Sequence, residues 1–500
     1  MGVFEKQFPL GLGTTRLPVH GPDDIEGIEN AIQLVTYAIE HGVDYVDVGY
    51  HYAAGMALSI LKEAFKRTNK KIDVTAKVMY DMDKTADAAR KRVENYLNAM
   101  GLEKGTYFTC WTIWNYEIFE QIIKKGGVYE GAVKLKEEGI VDHICCSLHT
   151  SPEEAIKIIE SGLFEGVTLS YSLLNSGRMI PVLDAAYKNN VSVAVMNPLG
   201  GGIIPKNPDF FSFACGEYDE GNTVHAALRF AMAHPAVDMV LGGAANLSEL
   251  KDSLSVFSKK DPENPLERHK RVVENTSALS GFCTGCKYCE GCPKGIPTSS
   301  IMQARNTLLF ETTKSYNRKG PEELLKNLQI FRKLFYDDGW LPETGENPCV
   351  KCNKCENNCT QKLGIKDAVA DVYRRAKETH YTKEAHIARI KELTGDKKYS
   401  KIGLYPNGGF SKLIIDLYKE NIGEPDFEWL LFNSDPKTWG STLDGRIIHG
   451  PNEILDIRPD KIIICTYKFD EDIYLDLKKY EEHGIEIVKL HRPEEMPWVF

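Results

Sequence analysis

The sequence predicts a mixed α/β protein that begins with a closed (β/α)8 TIM barrel, continues into a helical region and ends in a smaller α/β region. Short apolar runs alternate with amphipathic helical stretches as far as about residue 258. β runs are then missing, and charged helices such as Pro321 to Phe335 are predicted. Strands return after about residue 398, at Lys401 to Tyr405, Trp429 to Phe432, Lys461 to Cys465 and Ile485 to Leu490. A chain of 500 residues is long enough for about three domains. The predicted domains span residues 1–260, 261–397 and 398–500.

The first region contains eight strand candidates, and a helical stretch follows each of them. The candidates are Leu10 to Thr14, Tyr45 to Gly49, Asp73 to Val78, Thr106 to Ile113, His143 to Leu148, Gly166 to Tyr171, Val191 to Met196 and Asp238 to Gly242. Eight such units fit a closed barrel better than an open sheet. Catalytic groups are therefore expected at the carboxyl ends of these strands.

The sequence contains capping signals for both ends of one barrel helix. Ser151 is placed to cap the N-terminal amides, and Pro152 suits the first helical position. Ile156 and Ile159 are expected to face inward, and Gly162 is suited to end the helix.

Composition limits the classes of partner that the chain can bind. The 61 basic and 71 acidic side chains give a formal charge of −10, and no stretch interleaves Lys and Arg with aromatic residues. The longest apolar runs are shorter than a membrane span requires, and the first ten residues have no signal-peptide core. We therefore expect a cytoplasmic protein that acts on a small molecule and binds neither nucleic acid nor a membrane.

Eight of the thirteen cysteines form two clusters in the central region. The clusters are Cys283, Cys286, Cys289 and Cys292, and Cys349, Cys352, Cys355 and Cys359. Intervals of two, two and three residues, as in the second cluster, are typical of bacterial ferredoxins, and disulfides are rare in the cytosol. The sequence therefore predicts a helical, ferredoxin-like domain that binds two [4Fe-4S] clusters.

In bacterial ferredoxins, the fourth cysteine of each loop binds the cluster of the other loop. This exchange gives two predicted ligand sets, Cys283, Cys286, Cys289 and Cys359, and Cys349, Cys352, Cys355 and Cys292. Two zinc sites remain an alternative, because zinc also binds Cys-x-x-Cys pairs. The clusters could also be purely structural, but a pair more often forms an electron path, and an electron-carrier protein is then an expected partner. The fragility of such clusters indicates an anaerobic or microaerobic setting.

Three titratable residues lie where the second and third barrel strands end. Asp47 and Tyr52 flank the end of the second strand, and Lys77 is near the end of the third. A buried ammonium is expected to lower the pKa of the phenol, while the aspartate keeps the lysine charged. Tyr52 could then protonate a carbonyl oxygen as hydride reaches its carbon. The alternative is a structural Asp–Lys pair beside an ordinary core tyrosine.

Several segments of the barrel resemble the aldo-keto reductase superfamily. They read LGLGTTRLP, DYVDVGYHY, VTAKV, GIVDHICCSLH and VAVMNPLGGG. With the cysteine loops CTGCKYCEGCPKGIP and CVKCNKCENNC, the chain is similar to the subfamily whose barrel precedes a ferredoxin-like double-cluster domain. The resemblance implies that Asp47, Tyr52 and Lys77 form a proton-donating site, with NADPH or NADH across the barrel mouth.

The resemblance also identifies positions where this sequence departs from the family pattern. Cys110 falls at the family's catalytic histidine and would shape the pocket, although a thiol is a weaker donor than imidazole. It could instead be a nucleophile or inert packing. His51 and His149 are further acid–base candidates.

The cofactor contacts that the resemblance implies are Ser147, Tyr171, Pro198, Leu199 and Asn246. Tyr171 would stack on the nicotinamide ring, and the helix after GGAANLSE could receive a phosphate. Asn246 stands where a family arginine often reaches the adenosine phosphate, and Ser147 lacks its usual amide neighbour.

The last region contains the segment KIGLYPNGGFSKLIIDLY, which has the strand, glycine turn and helix of a dinucleotide-binding fold. Pro406, Gly408 and Ser411 occupy the three glycine positions of that fingerprint. We predict a small Rossmann-like α/β domain, which could bind a nucleotide or serve as a docking module.

These observations predict an iron–sulfur oxidoreductase of the aldo-keto reductase type, acting on a small carbonyl or alcohol through two [4Fe-4S] clusters and possibly NAD(P)H. One alternative is a one-electron reductase that uses the clusters without nicotinamide. Another is a non-enzymatic electron-transfer or assembly protein.

Overall fold

A computed structural model of the chain describes residues 2–70, 72–258, 263–276, 279, 281–310, 322–359, 361–395, 398–466 and 470–491. The chain divides into two units. The first comprises Met1–Cys286 and Asn358–Lys362, and the second comprises Lys287–Asn357 and Leu363–Phe500. The predicted domain limits at residues 260, 261 and 397 lie outside the described residues, so the three-domain division stays a prediction.

The first unit contains a closed barrel of parallel strands in chain order, in which the eighth strand pairs with the first. The strands are β1 Leu10–Gly13, β2 Tyr45–Asp47, β3 Asp73–Val78, β4 Tyr107–Ile113, β5 His143–Leu148, β6 Gly166–Ser170, β7 Ser192–Met196 and β8 Val237–Gly242. The predicted barrel is confirmed, with small shifts at several strand ends.

Helices surround the barrel and connect its strands. They are α1 Ile25–Glu40, α2 Ala57–Thr68, α3 Ala86–Met100, α4 Tyr116–Ile123, α5 Val128–Glu137, α6 Pro152–Glu160, α7 Ser176–Lys188, α8 Ile203–Lys206, α9 Pro208–Phe211, α10 Thr223–Met232, α11 Leu247–Ser258 and α12 Pro265–Thr276. Within the described residues of the whole chain, no helix combines the length and the apolar character that crossing a bilayer requires.

The predicted cap of α6 is present, but its buried face differs from the prediction. The Ser151 hydroxyl accepts from the Glu154 amide, and the Glu154 carboxylate accepts from the Ser151 amide. Ile159 is buried as expected, whereas Ile156 is half-buried and Ile158 is fully buried. The helix is turned so that the face centred on Ile158 and Ile159 packs against the barrel.

Large side chains fill the barrel at the amino ends of its strands. Phe4, which precedes β1, packs there with the inward residues Tyr45, Tyr107, Cys145, Ala194, Met239 and Leu241. The amide of Phe4 donates to the Ser192 hydroxyl at the start of β7. With this end closed by apolar packing, polar groups at the opposite, carboxyl ends are the candidates for chemistry.

The second unit contains helices and a mostly parallel sheet. Its helices are α13 Thr298–Arg305, α14 Glu322–Asp338, α15 Lys354–Asn357, α16 Ile365–Glu378, α17 Lys383–Gly395, α18 Gly409–Asn421, α19 Ile454–Ile457 and α20 Asp470–Leu477. Its strands are β9 Lys401–Tyr405, β10 Glu428–Phe432, β11 Thr442–Leu443, β12 Arg446–His449, β13 Lys461–Ile464 and β14 Glu486–Lys489. The helix predicted from Pro321 begins at Glu322, and Pro321 lies outside the described residues.

The order of strands in this sheet is β11-β12-β10-β9-β13-β14, and β11 pairs antiparallel with β12. The four strands predicted after residue 398 are present as β9, β10, β13 and β14. The short pair of β11 and β12 was missed, although Asp444-Gly445 between them is a recognised turn signal.

Candidate functional site

Three of the predicted catalytic residues meet at the carboxyl ends of β2 and β3. Lys77 Nζ lies 2.7 Å from Asp47 Oδ1 and 3.1 Å from the Tyr52 hydroxyl. Asp47 and Lys77 are buried, whereas Tyr52 is half-buried. The phenol is therefore the accessible end of a chain whose two charged members are withdrawn from water.

The pKa of Tyr52 is shifted in the direction opposite to the prediction. Burial raises this pKa most strongly and the Asp47 charge adds to the rise, while Lys77 and a hydrogen bond from Thr15 oppose it. Burial also disfavours the Lys77 ammonium, but Asp47 and Tyr52 outweigh that effect and raise the pKa of Lys77. Both groups hold their protons at neutral pH. Tyr52 therefore has a proton to donate, and its raised pKa makes it a weaker acid than a free phenol.

Trp111 lies directly beside this group. Its ring centroid is 5.7 Å from that of Tyr52 and 5.2 Å from Lys77 Nζ. The exposed His51 ring stacks on Trp111 with 4.9 Å between centroids and 25° between planes. Trp111 was not among the predicted site residues, although its position near the carboxyl end of a barrel strand indicates a site residue. Trp111 gives the site an aromatic wall.

Cys110, which was predicted to shape the pocket with inert packing as an alternative, does not lie on the face of Lys77. Cys110 pairs with Val78, the neighbour of Lys77, so alternation of side chains turns it to the opposite face of the sheet. Its thiol lies within electrostatic range of Tyr129 on α5. Cys110 is fully buried, and burial raises its pKa, so the thiol is inert packing between barrel and helices.

Ser147 at the end of β5 is paired with His149. The Ser147 hydroxyl lies 3.0 Å from His149 Nε2, and both residues are buried. Burial lowers the pKa of His149 to about 3, and the charges of Lys77 and Lys362 contribute. A neutral imidazole therefore already holds the hydroxyl that the family pattern assigns to the nicotinamide amide.

The lowered pKa of His149 predicts that the free energy of unfolding falls in acid. Its pKa is lowered from about 6.5 in an unfolded chain, so the unfolded state binds the extra proton as the pH falls. Its stabilising contribution is complete above pH 6.5 and is lost toward pH 3, by up to about 1.4 kcal/mol per pH unit. Urea unfolding of wild type and His149→Gln at pH 7.5 and 5 should show a smaller pH effect in the variant. Equal pH effects would contradict this role.

Tyr171, the predicted nicotinamide-stacking residue, lies outside the barrel interior. Its hydroxyl is 2.8 Å from His269 Nε2 on α12, and its ring stacks on Phe230 of α10 with centroids 5.4 Å apart. Tyr171 is fully buried. Because the preceding residue, Ser170, faces the barrel interior, alternation turns Tyr171 toward the helices outside the barrel.

Ser170 is a candidate substrate contact that the sequence analysis missed. It pairs with Met196, two residues beyond the pair of Thr168 with the inward Ala194, so its side chain faces the barrel interior. Its hydroxyl is buried and has no hydrogen-bond partner among the described residues. A buried polar atom in this state favours a ligand that completes its hydrogen bonding.

The start of α11, where a phosphate was expected, is capped by the chain itself. Asn246 Oδ1 accepts from the Glu249 amide at 3.0 Å, and Asn246 Nδ2 donates to Glu249 Oε1 at 2.9 Å. The Ala245 amide donates to Glu249 Oε2 at 2.9 Å. A carboxylate thus occupies the place suited to an anion.

The predicted contacts Pro198 and Leu199 lie in the turn after β7, where Pro198 is buried and Leu199 is half-buried. Neither offers a polar side chain. Taken with the pairing of Ser147 and the burial of Tyr171, the residues implied for nicotinamide do not fit that cofactor in the family manner.

The comparisons with known proteins identify the barrel. The model of the aldo/keto reductase family matches residues 9–273, which is more than half of the 500 residues. The chain belongs to the aldo/keto reductase family. It is therefore an oxidoreductase of the aldo/keto reductase type. No match was found among the curated proteins.

Solved aldo/keto reductases are similar to the chain over about half of its length. A thermostable aldo-keto reductase in complex with the inhibitor epalrestat is 17% identical, with 54% of this chain and 98% of that chain covered and a TM-score of 0.45. The holo form of an enzyme from Bacillus halodurans is 18% identical, with 53% and 91% covered and a TM-score of 0.43. A Klebsiella pneumoniae enzyme in complex with NADP and acetate is 16% identical, with 53% and 94% covered and a TM-score of 0.42.

The two cysteine loops follow the aldo/keto reductase match in the chain and share two left-handed positions. Left-handed φ angles of 67°, 66°, 55° and 62° occur at Gly285, Lys287, Lys351 and Asn353, at equivalent positions of the two loops. The Gly285 amide donates to Cys283 Sγ and the Lys351 amide to Cys349 Sγ, both at 3.4 Å. Hydrogen bonds from backbone amides to sulfur are one of the features that tune iron–sulfur clusters.

A small pocket that opens to solvent in the second unit is lined in part by five cysteines. The lining cysteines are Cys289, Cys292, Cys349, Cys352 and Cys355, with Lys354 and Lys366 nearby. Cys283, Cys286 and Cys359 belong to the first unit. Across the described ranges, no group of three or more His, Cys, Asp or Glu side chains could hold a single metal ion.

Proposed function

We propose that the chain is an iron–sulfur oxidoreductase that reduces a small carbonyl, or oxidises the corresponding alcohol, beside Tyr52. Electrons are exchanged through two [4Fe-4S] clusters. The observation that carries the proposal is the buried Asp47–Lys77–Tyr52 chain, with the phenol as its accessible end. The left-handed positions and the amide-to-sulfur hydrogen bond that recur in both cysteine loops support the clusters.

The protein's own residues supply proton transfer and orientation. Tyr52 donates its proton to the carbonyl oxygen, and Lys77 stabilises the phenolate that remains. Asp47 keeps the ammonium charged and directed at the phenol. Trp111 and the inward Ser170 hydroxyl line the site where the substrate binds.

The cysteines form two ligand sets, in which Cys292 and Cys359 are exchanged between the loops. When bound, the clusters supply one-electron chemistry. The pocket lined in part by Cys292, Cys349, Cys352 and Cys355 supports the second set. The Thr284 hydroxyl, which is buried and has no partner among the described residues, is a donor available to a cluster sulfur beside Cys283. Zinc in these sites is the competing interpretation.

Two further domains are proposed for the chain after the barrel. We assign residues 261–397 to a ferredoxin-like domain and residues 398–500 to a Rossmann-like domain, with an electron-carrier protein as partner in an anaerobic cytoplasm. The parallel order β12-β10-β9-β13-β14 supports the second assignment. The Ser411 hydroxyl donates to the Pro406 carbonyl at 2.8 Å, which closes the turn before α18 with the chain's own atoms.

A second candidate function is that of a one-electron reductase that does not use nicotinamide. Three observations favour it. Tyr171 is turned away from the pocket, Ser147 is paired with His149, and the Glu249 carboxylate occupies the expected phosphate position. NADPH and NADH stay alternatives for the electron donor.

Titration of the anaerobic protein with NADPH and NADH separates these functions. Nicotinamide fluorescence reports binding, and loss of visible absorbance reports cluster reduction. We expect neither cofactor to bind tightly, while dithionite bleaches the clusters and a carbonyl restores the absorbance. Tight binding with bleaching would instead support a nicotinamide-coupled reductase. Bleaching without any carbonyl turnover would leave an electron carrier.

A further inference from the structure

The loop after β7 touches the first cysteine loop. Gly200, Gly201 and Gly202 all have positive φ, at 59°, 72° and 92°. A Cβ on Gly201 would lie 1.9 Å from the carbonyl oxygen of Thr284. Thr284 lies between the predicted ligands Cys283 and Cys286. The two backbones are therefore in direct contact, and only a residue without a side chain permits it.

The end of the second cysteine loop also lies against the barrel. Arg178 on α7 donates to the backbone carbonyl of Gln361. The charge of the next residue, Lys362, acts on His149, as does the charge of Lys77. His149 therefore lies within electrostatic range of both the Tyr52 site and the segment that follows Cys359.

We infer that the barrel site exchanges electrons with the protein through the cluster held by Cys283, Cys286 and Cys359, at the contact of Gly201 with Thr284. This inference rests on the proposed function and adds a route to it. Three of the four predicted ligands of this cluster belong to the same unit as the barrel. The glycine at position 201 keeps the cysteine loop against the carboxyl ends of the barrel strands.

The reaction balances with an external one-electron donor. A carbonyl takes up two electrons and two protons, its C=O π bond is lost, and new C–H and O–H bonds form. Tyr52 supplies the proton on oxygen and is reprotonated from solvent, which also supplies the proton on carbon. A cluster bound by these cysteines would supply the two electrons singly, and a low-potential donor, dithionite in the assay, would reduce it again between the two steps.

Two glycine variants test the contact. Gly201→Ala forces a side chain against the Thr284 carbonyl, whereas a Cβ on Gly202 would have Arg16 Nη1 as its nearest atom, at 3.7 Å. Both variants carry the strain of positive φ, so Gly202→Ala controls for it. We expect Gly201→Ala to shift the midpoint potential of one cluster and to slow its reoxidation by 2,3-butanedione by about 100-fold, the scale of a 1 Å misplacement. Gly202→Ala should have the midpoint potentials and the reoxidation rate of the wild type.

Two lysine variants identify the affected cluster. Lys362→Met removes a cation near the first ligand set, and Lys366→Met removes one from the lining of the cysteine-lined pocket in the second unit. Each should lower the midpoint of its own cluster in an EPR-monitored redox titration. The EPR signal whose midpoint potential changes in Lys362→Met should be the one whose midpoint potential changes in Gly201→Ala.

Two outcomes would overturn the inference. One is an unshifted midpoint in Gly201→Ala, which needs no substrate to measure. The other is a shift confined to the signal that Lys366→Met identifies. If wild-type clusters are intact and Gly201→Ala shifts the predicted signal, but no carbonyl reoxidises either cluster, the proposed function fails while the contact stands.

Discussion

Tyr52→Phe is expected to lower the rate of carbonyl reduction by about 10²- to 10⁴-fold, the usual contribution of a general acid. The variant removes the hydroxyl that lies 3.1 Å from Lys77 Nζ and leaves the ring against Trp111. Iron content and the circular dichroism spectrum should be unchanged, because the ring keeps its packing. The rate is measured with the dithionite-reduced protein and a panel of aldehydes and ketones.

Tyr50→Phe is the matched control for this variant. Tyr50 lies in the same turn, and its hydroxyl contacts the Met82 sulfur rather than Lys77. It should retain activity close to wild type. Full activity in Tyr52→Phe would remove the phenol from the mechanism and leave the Asp47–Lys77 pair as a structural feature.

Cys359→Ser is expected to remove about four of eight irons, because one thiolate ligand of a cubane is lost. The cluster lost should be the one bound by the first loop, which contributes Cys283 and Cys286. Iron analysis and EPR spectra of the reduced protein measure the loss. Cys215→Ser, a half-buried cysteine outside both loops, should keep all of the iron.

Double variants identify which cluster Cys359 holds. If Cys359 and Cys286 bind one cluster, then adding Cys286→Ser to Cys359→Ser should remove no further iron. Adding Cys352→Ser to Cys359→Ser should remove the rest. The reverse pattern would show that the ligands are not exchanged between the loops.

The barrel and its proposed general acid, Tyr52, were predictable because their sequence signals are local. Strands such as Asp73–Val78 were found from apolar runs between turns, and Lys77 lies at the end of that strand. The carboxyl ends of parallel strands meet at one face of a barrel, so Asp47, Tyr52 and Lys77 were expected to be neighbours. The structure places them within hydrogen-bond distance.

The side of the sheet on which an individual side chain lies was harder to predict. Cys110 and Trp111 are adjacent, and only the register of β4 against β3 decides which of them faces Lys77. Tyr171 depended in the same way on the register of β6 against β7. A register shift of one residue reverses the side of the sheet that a side chain faces, and a single sequence does not fix the register that closely.

The sign of the Tyr52 shift required three-dimensional information. The sequence indicates that an ammonium lies beside the phenol, which lowers the pKa. It does not reveal how completely the surroundings exclude water, and burial is the larger effect here. Likewise, the cap of α11 by Glu249 depends on a side-chain conformation rather than on residue type alone.

Iron and acid-labile sulfide analysis of the anaerobically purified chain tests the central claim most directly. Two cubanes predict about eight iron and about eight sulfide per polypeptide, with an EPR signal that appears on reduction by dithionite. Stoichiometric zinc, or a protein with neither iron nor sulfide after reconstitution, would contradict the account and leave an aldo/keto reductase barrel without a redox partner in its own chain.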